Sequence, residues 1–168
     1  MKAHLNYLKY VLRHKWYVFL ACRTMRVSTW RAIIHDWTKL TPLEWTPYVH
    51  NFFNKDGTRR SVRDASGAYD PNIQTVEFKK AWLSHQKNKH HYQAWISIGD
   101  NGNLEALPIP EKYLREMIAD WIGAGMAISG RTDWRPWYEA NKNKMILHPE
   151  AREFLDSYEV NIHEMLHT

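Results

Sequence analysis

The chain has 168 residues and a formal net charge of +5, with nine Trp, nine Tyr and five Phe. That length fits one domain burying about two-thirds of its unfolded surface, and the aromatic content argues against intrinsic disorder. A lone cysteine, Cys22, excludes an intrachain disulfide framework, and no apolar run approaches the ~18 residues of a membrane span, so a soluble protein of the reducing cytoplasm is expected.

In chain order, Leu5, Leu8 and Leu12, beside a second stripe of Val11, His14 and Val18, predict a first helix over residues 3–25. Ser28 or Thr29 is placed to cap a second helix carrying Trp30, Ile33, Ile34 and Trp37. Thr41-Pro42-Leu43-Glu44 reads as the start of a third, with Pro at the first helical position and Glu44 closing a capping box, and this helix should reach about Phe53. Residues 54–72 have almost no apolar period and carry Arg59, Arg60 and Arg63; a loop this long in a compact domain is expected to be functional or disordered. Helical pattern resumes near Thr75 with Val76, Phe78, Ala81 and Trp82 and runs into His85, His90 and His91, where Asn88 weakens it. After the turn Gly99-Asp100-Asn101-Gly102-Asn103, the segment Pro108-Ile109-Pro110 precedes a helix over 111–128, whose core stripe is Leu114, Met117, Ile118, Trp121 and Ile122. Two more helices are expected over 134–145 and 149–166. With no strand ladder evident, the predicted fold class is all-α: one helical bundle of six or seven helices over 1–168.

The chemistry concentrates on His35-Asp36, with Lys39 three residues on. An imidazole and a carboxylate on adjacent positions can hold one divalent ion, and the lysine can reach a phosphate bound to it. The pair alone is weak, since a shuffled chain with this many His and Asp holds about half such a dipeptide by chance. Its partners carry the argument: His14 and Asp120 lie on other helices among apolar neighbours, and a buried Asp120 is costly unless paired or coordinated. Taken singly, each has an ordinary alternative. His14 fits a hydrogen-bonded helix histidine, Asp36 an exposed carboxylate, Asp120 a partner of Arg115. His85, His90 and His91 fit a second metal site or a solvated basic surface with Lys87 and Lys89.

His14, then His35-Asp36, then Asp120 on successive helices resembles the HD-domain metal-dependent phosphohydrolase superfamily over residues 4–125. Small phage and bacterial members with segments like His35 to Glu44, Trp82 to Trp95 and Tyr113 to Trp121 look most similar. The resemblance implies an HD-type bundle in which His14, His35, Asp36 and Asp120 hold a divalent ion: manganese, cobalt, nickel, iron, zinc or magnesium. It implies a water activated by that ion for in-line attack on phosphorus. Lys39, with Arg59, Arg60 or Arg63 on a closing loop, would offset phosphoryl charge, and Asp36 or Glu44 would orient the water. His85, His90 or His91 would bind a second ion, as in binuclear members, or protonate the leaving oxygen. No glutamate follows the His-Asp pair within one turn, so the general base known from deoxynucleotidases of this fold has no counterpart here. The expected partner is a nucleotide or small phosphate ester. Two other readings compete: a nucleic-acid- or protein-binding module built on the basic loop and Trp residues, and a di-iron oxygenase on the same fold.

Overall fold

A computed structural model of the chain describes residues 1–160. Among these, seven α-helices and one two-stranded antiparallel sheet occur in the order α1 (Lys2–Thr24), α2 (Thr29–Ile34), α3 (Pro42–Phe52), α4 (Val76–His85), β1 (Ile96–Ile98), β2 (Leu104–Ala106), α5 (Glu111–Ser129), α6 (Arg135–Asn141) and α7 (Pro149–Ser157). The chain is mostly helical, and no helix among the described residues is long and apolar enough to cross a membrane.

Helix α1 is the spine. Its buried stripe, Ala3, Tyr7, Val11, His14, Val18, Ala21 and Cys22, recurs at helical spacing and is apolar except for His14. Ala3, Tyr7 and Val11 pack with Tyr48, Val49 and Phe52 of α3 and Phe78 and Ala81 of α4. Beyond His14, Val18, Ala21 and Cys22 pack with Leu114, Met117, Ile118 and Ile122 of α5 and with Trp134, Tyr138 and Leu155. His14 therefore lies at the seam between two apolar clusters, which make its surroundings dry on both sides. The Cys22 thiol is fully buried, and burial pushes its pKa up, so it behaves as a small apolar side chain.

α1 and α5 approach unusually closely at Gly123. A Cβ there would stand 2.3 Å from Val18 Cγ2 and 2.9 Å from the Val18 backbone nitrogen, so only glycine fits. One turn away along each helix lie His14 and Asp120, so this contact sets their separation.

Several local expectations are corrected. The second helix ends at Ile34, before Trp37: His35 is extended (φ −49°, ψ 129°), Asp36 is left-handed (φ 54°, ψ 27°), and Trp37–Leu40 form a 3₁₀ turn. Lys15 of α1 compensates that early stop by donating to the carbonyls of Ile33 and His35, a cation at a helix C-terminus. The Thr41/Glu44 capping box is not made; Thr41 donates instead to the Thr38 carbonyl at 2.7 Å and Glu44 turns into the core. A strand ladder does exist, pairing Ile96 with Ala106, Ser97 with Glu105 and Ile98 with Leu104, with Gly102 at φ 80° in the connecting turn. Three-residue strands are too short to leave an alternating signature. Of the helix expected over 149–166, α7 ends at Ser157, and residues 161–166 lie outside the described residues.

The 54–72 loop is tied down at two tight turns. Asn6 of α1 donates to the Gly57 carbonyl at 2.9 Å, and Asn141 of α6 donates to the Ser66 carbonyl at 2.8 Å. The bridges Phe53 to Arg59 and Arg63 to Tyr69 close the turns. The segment between them is held at both turns and forms a wall.

Candidate metal centre

The left-handed turn at Asp36 produces the site. Aspartate tolerates that conformation better than most residues, and it aims two successive side chains, His35 and Asp36, inward together, which a continuing helix could not do. Asp36 is 3% exposed, which removes the exposed-carboxylate alternative. Its two oxygens face different groups. Oδ2 lies 3.2 Å from His14 Nε2 and 3.4 Å from His35 Nε2, and both imidazole nitrogens also lie 3.2 Å from Asp120 Oδ1. Oδ1 lies 3.4 Å from His85 Nε2 and 3.2 Å from His90 Nε2. The donor atoms of His14, His35, Asp36 and Asp120 lie within 4.8 Å of one another, and so do those of Asp36, His85, His90 and His91.

His85 ends α4, and the turn after it delivers His90 and His91. The Asn88 amide donates to Thr38 Oγ1 at 3.4 Å, holding this turn against the 3₁₀ segment. His85 and His90 are buried, so the solvated-surface alternative fails for both; Lys87 and Lys89 are the exposed members of that stretch. Arg115 bonds Glu111 and the Met25 carbonyl, leaving Asp120 to the histidines.

Two carboxylates support the histidines from behind. Glu44 Oε2 lies 2.9 Å from His85 Nδ1, and Glu116 Oε1 lies 3.2 Å from His35 Nδ1, while Arg31 pairs with the other oxygen of Glu116. A carboxylate on Nδ1 fixes the tautomer that presents the Nε2 lone pair to the centre. Glu44 thus faces His85 Nδ1, where it would position the imidazole ring. Replacing it with glutamine, which keeps the size but drops the charge, is expected to weaken metal retention about 10–100-fold with the fold intact. Titration of metal-depleted protein followed by tryptophan fluorescence measures this, and unchanged affinity contradicts the assigned role.

The carboxylates at the centre are held ionised. Burial alone would raise Asp36, but the charges of His35, Lys39 and His85 and the hydrogen bond from His14 hold it well below the usual carboxylate range. Burial works against Asp120 in the same way, yet hydrogen bonds from His14 and His35 keep it well below that range too. Burial disfavours charged His35, but Asp36, Asp120 and Glu116 outweigh it and raise its pKa well above the histidine norm. His90 and His91 are pushed down, by burial first and then by neighbouring histidines, so both are neutral. Among the described residues Asp36 Oδ1, His90 Nε2 and His91 Nε2 are buried without a hydrogen bond. Neutral imidazole lone pairs facing a buried carboxylate oxygen carry a desolvation cost that a coordinated cation removes. The donor set of imidazole and carboxylate fits manganese, iron, cobalt, nickel or zinc. Lys39 Nζ pairs with Asp36 Oδ2 and lies 3.4 Å from His14 Nε2, so it sits within the cluster rather than reaching outward.

The three loop arginines are not in this cluster. Arg60 donates to the His50 carbonyl at 2.6 Å, and Arg63 donates to the Gly67 carbonyl and stacks on Tyr69 at 4.3 Å. Arg59 lies over the Tyr10 ring at 5.8 Å, and Tyr10 in turn stacks on His14 at 6.1 Å. Sequence reasoning missed Glu116, Arg31, Lys15 and Tyr10. For Glu116 a signal existed: it lies one turn before Asp120 within a buried stripe, where an unpaired carboxylate is costly.

No curated protein and no solved structure matches the chain. Residues 3–159 match the model of a family of unknown function, DUF5662, and the chain belongs to that family.

Proposed function

We propose that the chain is a divalent-metal phosphohydrolase of the HD type, acting on a nucleotide or related phosphate ester. One observation carries the reading: Asp36 sends each carboxylate oxygen to a separate group of buried histidines, two of which are backed by carboxylates on Nδ1. In this reading His14, His35, Asp36 and Asp120 would hold one ion, and Asp36, His85, His90 and His91 would hold a second. Divalent ions held there would supply Lewis acidity for activating water near neutral pH.

The protein's own groups do the remaining work. Asp36 holds the two histidine groups in register, Glu44 and Glu116 lock ring orientation, and the apolar clusters on either side of His14 exclude bulk water. Lys39, with its pKa raised well above the lysine norm because Asp36 and Asp120 outweigh burial, stays cationic beside the reacting phosphoryl group. Hydrolysis forms one P–O bond from water and breaks the ester P–O bond, and the departing oxygen takes a proton.

The test is a panel of p-nitrophenyl phosphate, bis(p-nitrophenyl) phosphate and nucleotides, assayed with each candidate ion added to metal-depleted protein. Metal-dependent release of p-nitrophenol or phosphate is expected. Stoichiometric iron with oxygen consumption and no hydrolysis of any of these esters would favour the di-iron oxygenase reading instead, since the same donor set suits two irons.

A further inference from the structure

Two depressions adjoin on the face made by α1, the end of α3 and residues 59–63. The first, about 300 Å³, is lined by Tyr10, Phe52, Arg59, Arg63 and Ile128, among others. The second, about 490 Å³, includes His4, His50 and Lys55. Phe53 and Arg60 line both, so the two form one groove. Among the described residues no carboxylate lines it, whereas Lys55, Arg59, Arg60 and Arg63 all do. At its inner end the Tyr10 ring stands between the groove and His14 of the candidate metal centre, on which it stacks.

We propose that this groove binds single-stranded nucleic acid, with its Tyr10 end one ring from the metal centre. Cleavage of the bound strand would rest on the phosphohydrolase reading; binding does not. A free nucleotide would fill one depression and leave the cations of the next without a role. A chain of phosphates uses both, because cations repeated along a groove match charges repeated along a backbone. Phe53 is partly exposed in the wall, where an unstacked base can lie on its ring and a base inside a duplex cannot. Cleavage needs water alone as co-reactant: its oxygen bonds to phosphorus, the bridging ester bond breaks, and the departing oxygen takes the proton.

The experiment measures fluorescence anisotropy of fluorescein-labelled rU12 and dT12 with the full chain in chelator, so that binding is read without metal. Four phosphate contacts predict a log Kd against log salt slope near 3. Arg59→Glu combined with Lys55→Glu, both exposed, should weaken binding at least about tenfold while the melting temperature holds. Uridine monophosphate should compete at least about 100-fold less well than unlabelled rU12. A wild-type slope near zero, wild-type affinity in the double variant, or equal competition by the mononucleotide would each overturn the proposal. Comparison of rU12 with dT12 separates RNA from DNA, and preference for a matched duplex or for anionic vesicles would also overturn it. Failure of the phosphohydrolase reading looks different: oligonucleotide binding persists in a chain that retains no metal. Conversely, a chain that hydrolyses bis(p-nitrophenyl) phosphate but ignores oligonucleotides overturns this inference alone.

Discussion

Asp36→Asn is expected to purify with neither ion retained and with turnover reduced at least about 1,000-fold, because both histidine groups converge on this one carboxylate. Asparagine is the informative replacement: it keeps the size and tolerates the left-handed backbone at φ 54°, whereas alanine adds a cost of about 1–2 kcal/mol from the backbone alone. The metal-depleted variant should also be less stable. Lys39 and the protonated His35 lose their shared counter-charge in a buried setting, a loss of about 3–5 kcal/mol when one partner of such a pair is removed. Depressed carboxylate pKa values contribute stability above the unfolded value, and that contribution is what the variant lacks at neutral pH. Thermal melts with and without chelator, read beside elemental analysis, check both parts. Normal metal content in this variant would remove Asp36 from the centre.

Gly123→Ala tests the scaffold rather than the ligands. The new methyl group would meet the Val18 backbone, which cannot rotate away, so α1 and α5 must separate. Overpacking costs of about 1–3 kcal/mol exceed the gain of up to about 1 kcal/mol from replacing a helical glycine. With roughly 2–4 °C per kcal/mol at this size, the melting temperature should fall by several degrees. Metal affinity should fall with it, because His14 and Asp120 ride on the two displaced helices. Adding Val18→Ala removes the Cγ2 contact at 2.3 Å but leaves the backbone contact at 2.9 Å, so rescue should be partial. An unchanged melt together with unchanged metal affinity would contradict the close-contact account.

Much of the centre was legible because its members interrupt apolar stripes. His14 is the polar member of the buried face of α1, and Asp120 lies one turn from the buried Met117 and Gly123 of α5, so helical spacing turned both toward the core. What was not legible depended on distant partners. Thr41 and Glu44 match a capping pattern, but His85, 41 residues away, binds Glu44 instead. Arg60 and Arg63 read as ligands of a phosphate at the metal centre, whereas loop geometry ties them to the carbonyls of His50 and Gly67 in the groove wall. The partners of Glu116, Arg31 and His35, lie more than 80 residues away in sequence. The stop at Ile34 also escaped periodicity, since the run of Trp30, Ile33, Ile34 and Trp37 continues the pattern past the break.

The most direct measurement is elemental analysis of the purified protein combined with anomalous diffraction at the metal edge. The account predicts up to two ions per chain, one bounded by His14, His35, Asp36 and Asp120 and the other by Asp36, His85, His90 and His91, with Asp36 between them. A chain that takes up no divalent ion after incubation with each of the candidates, or one whose ion lies away from Asp36, would contradict it.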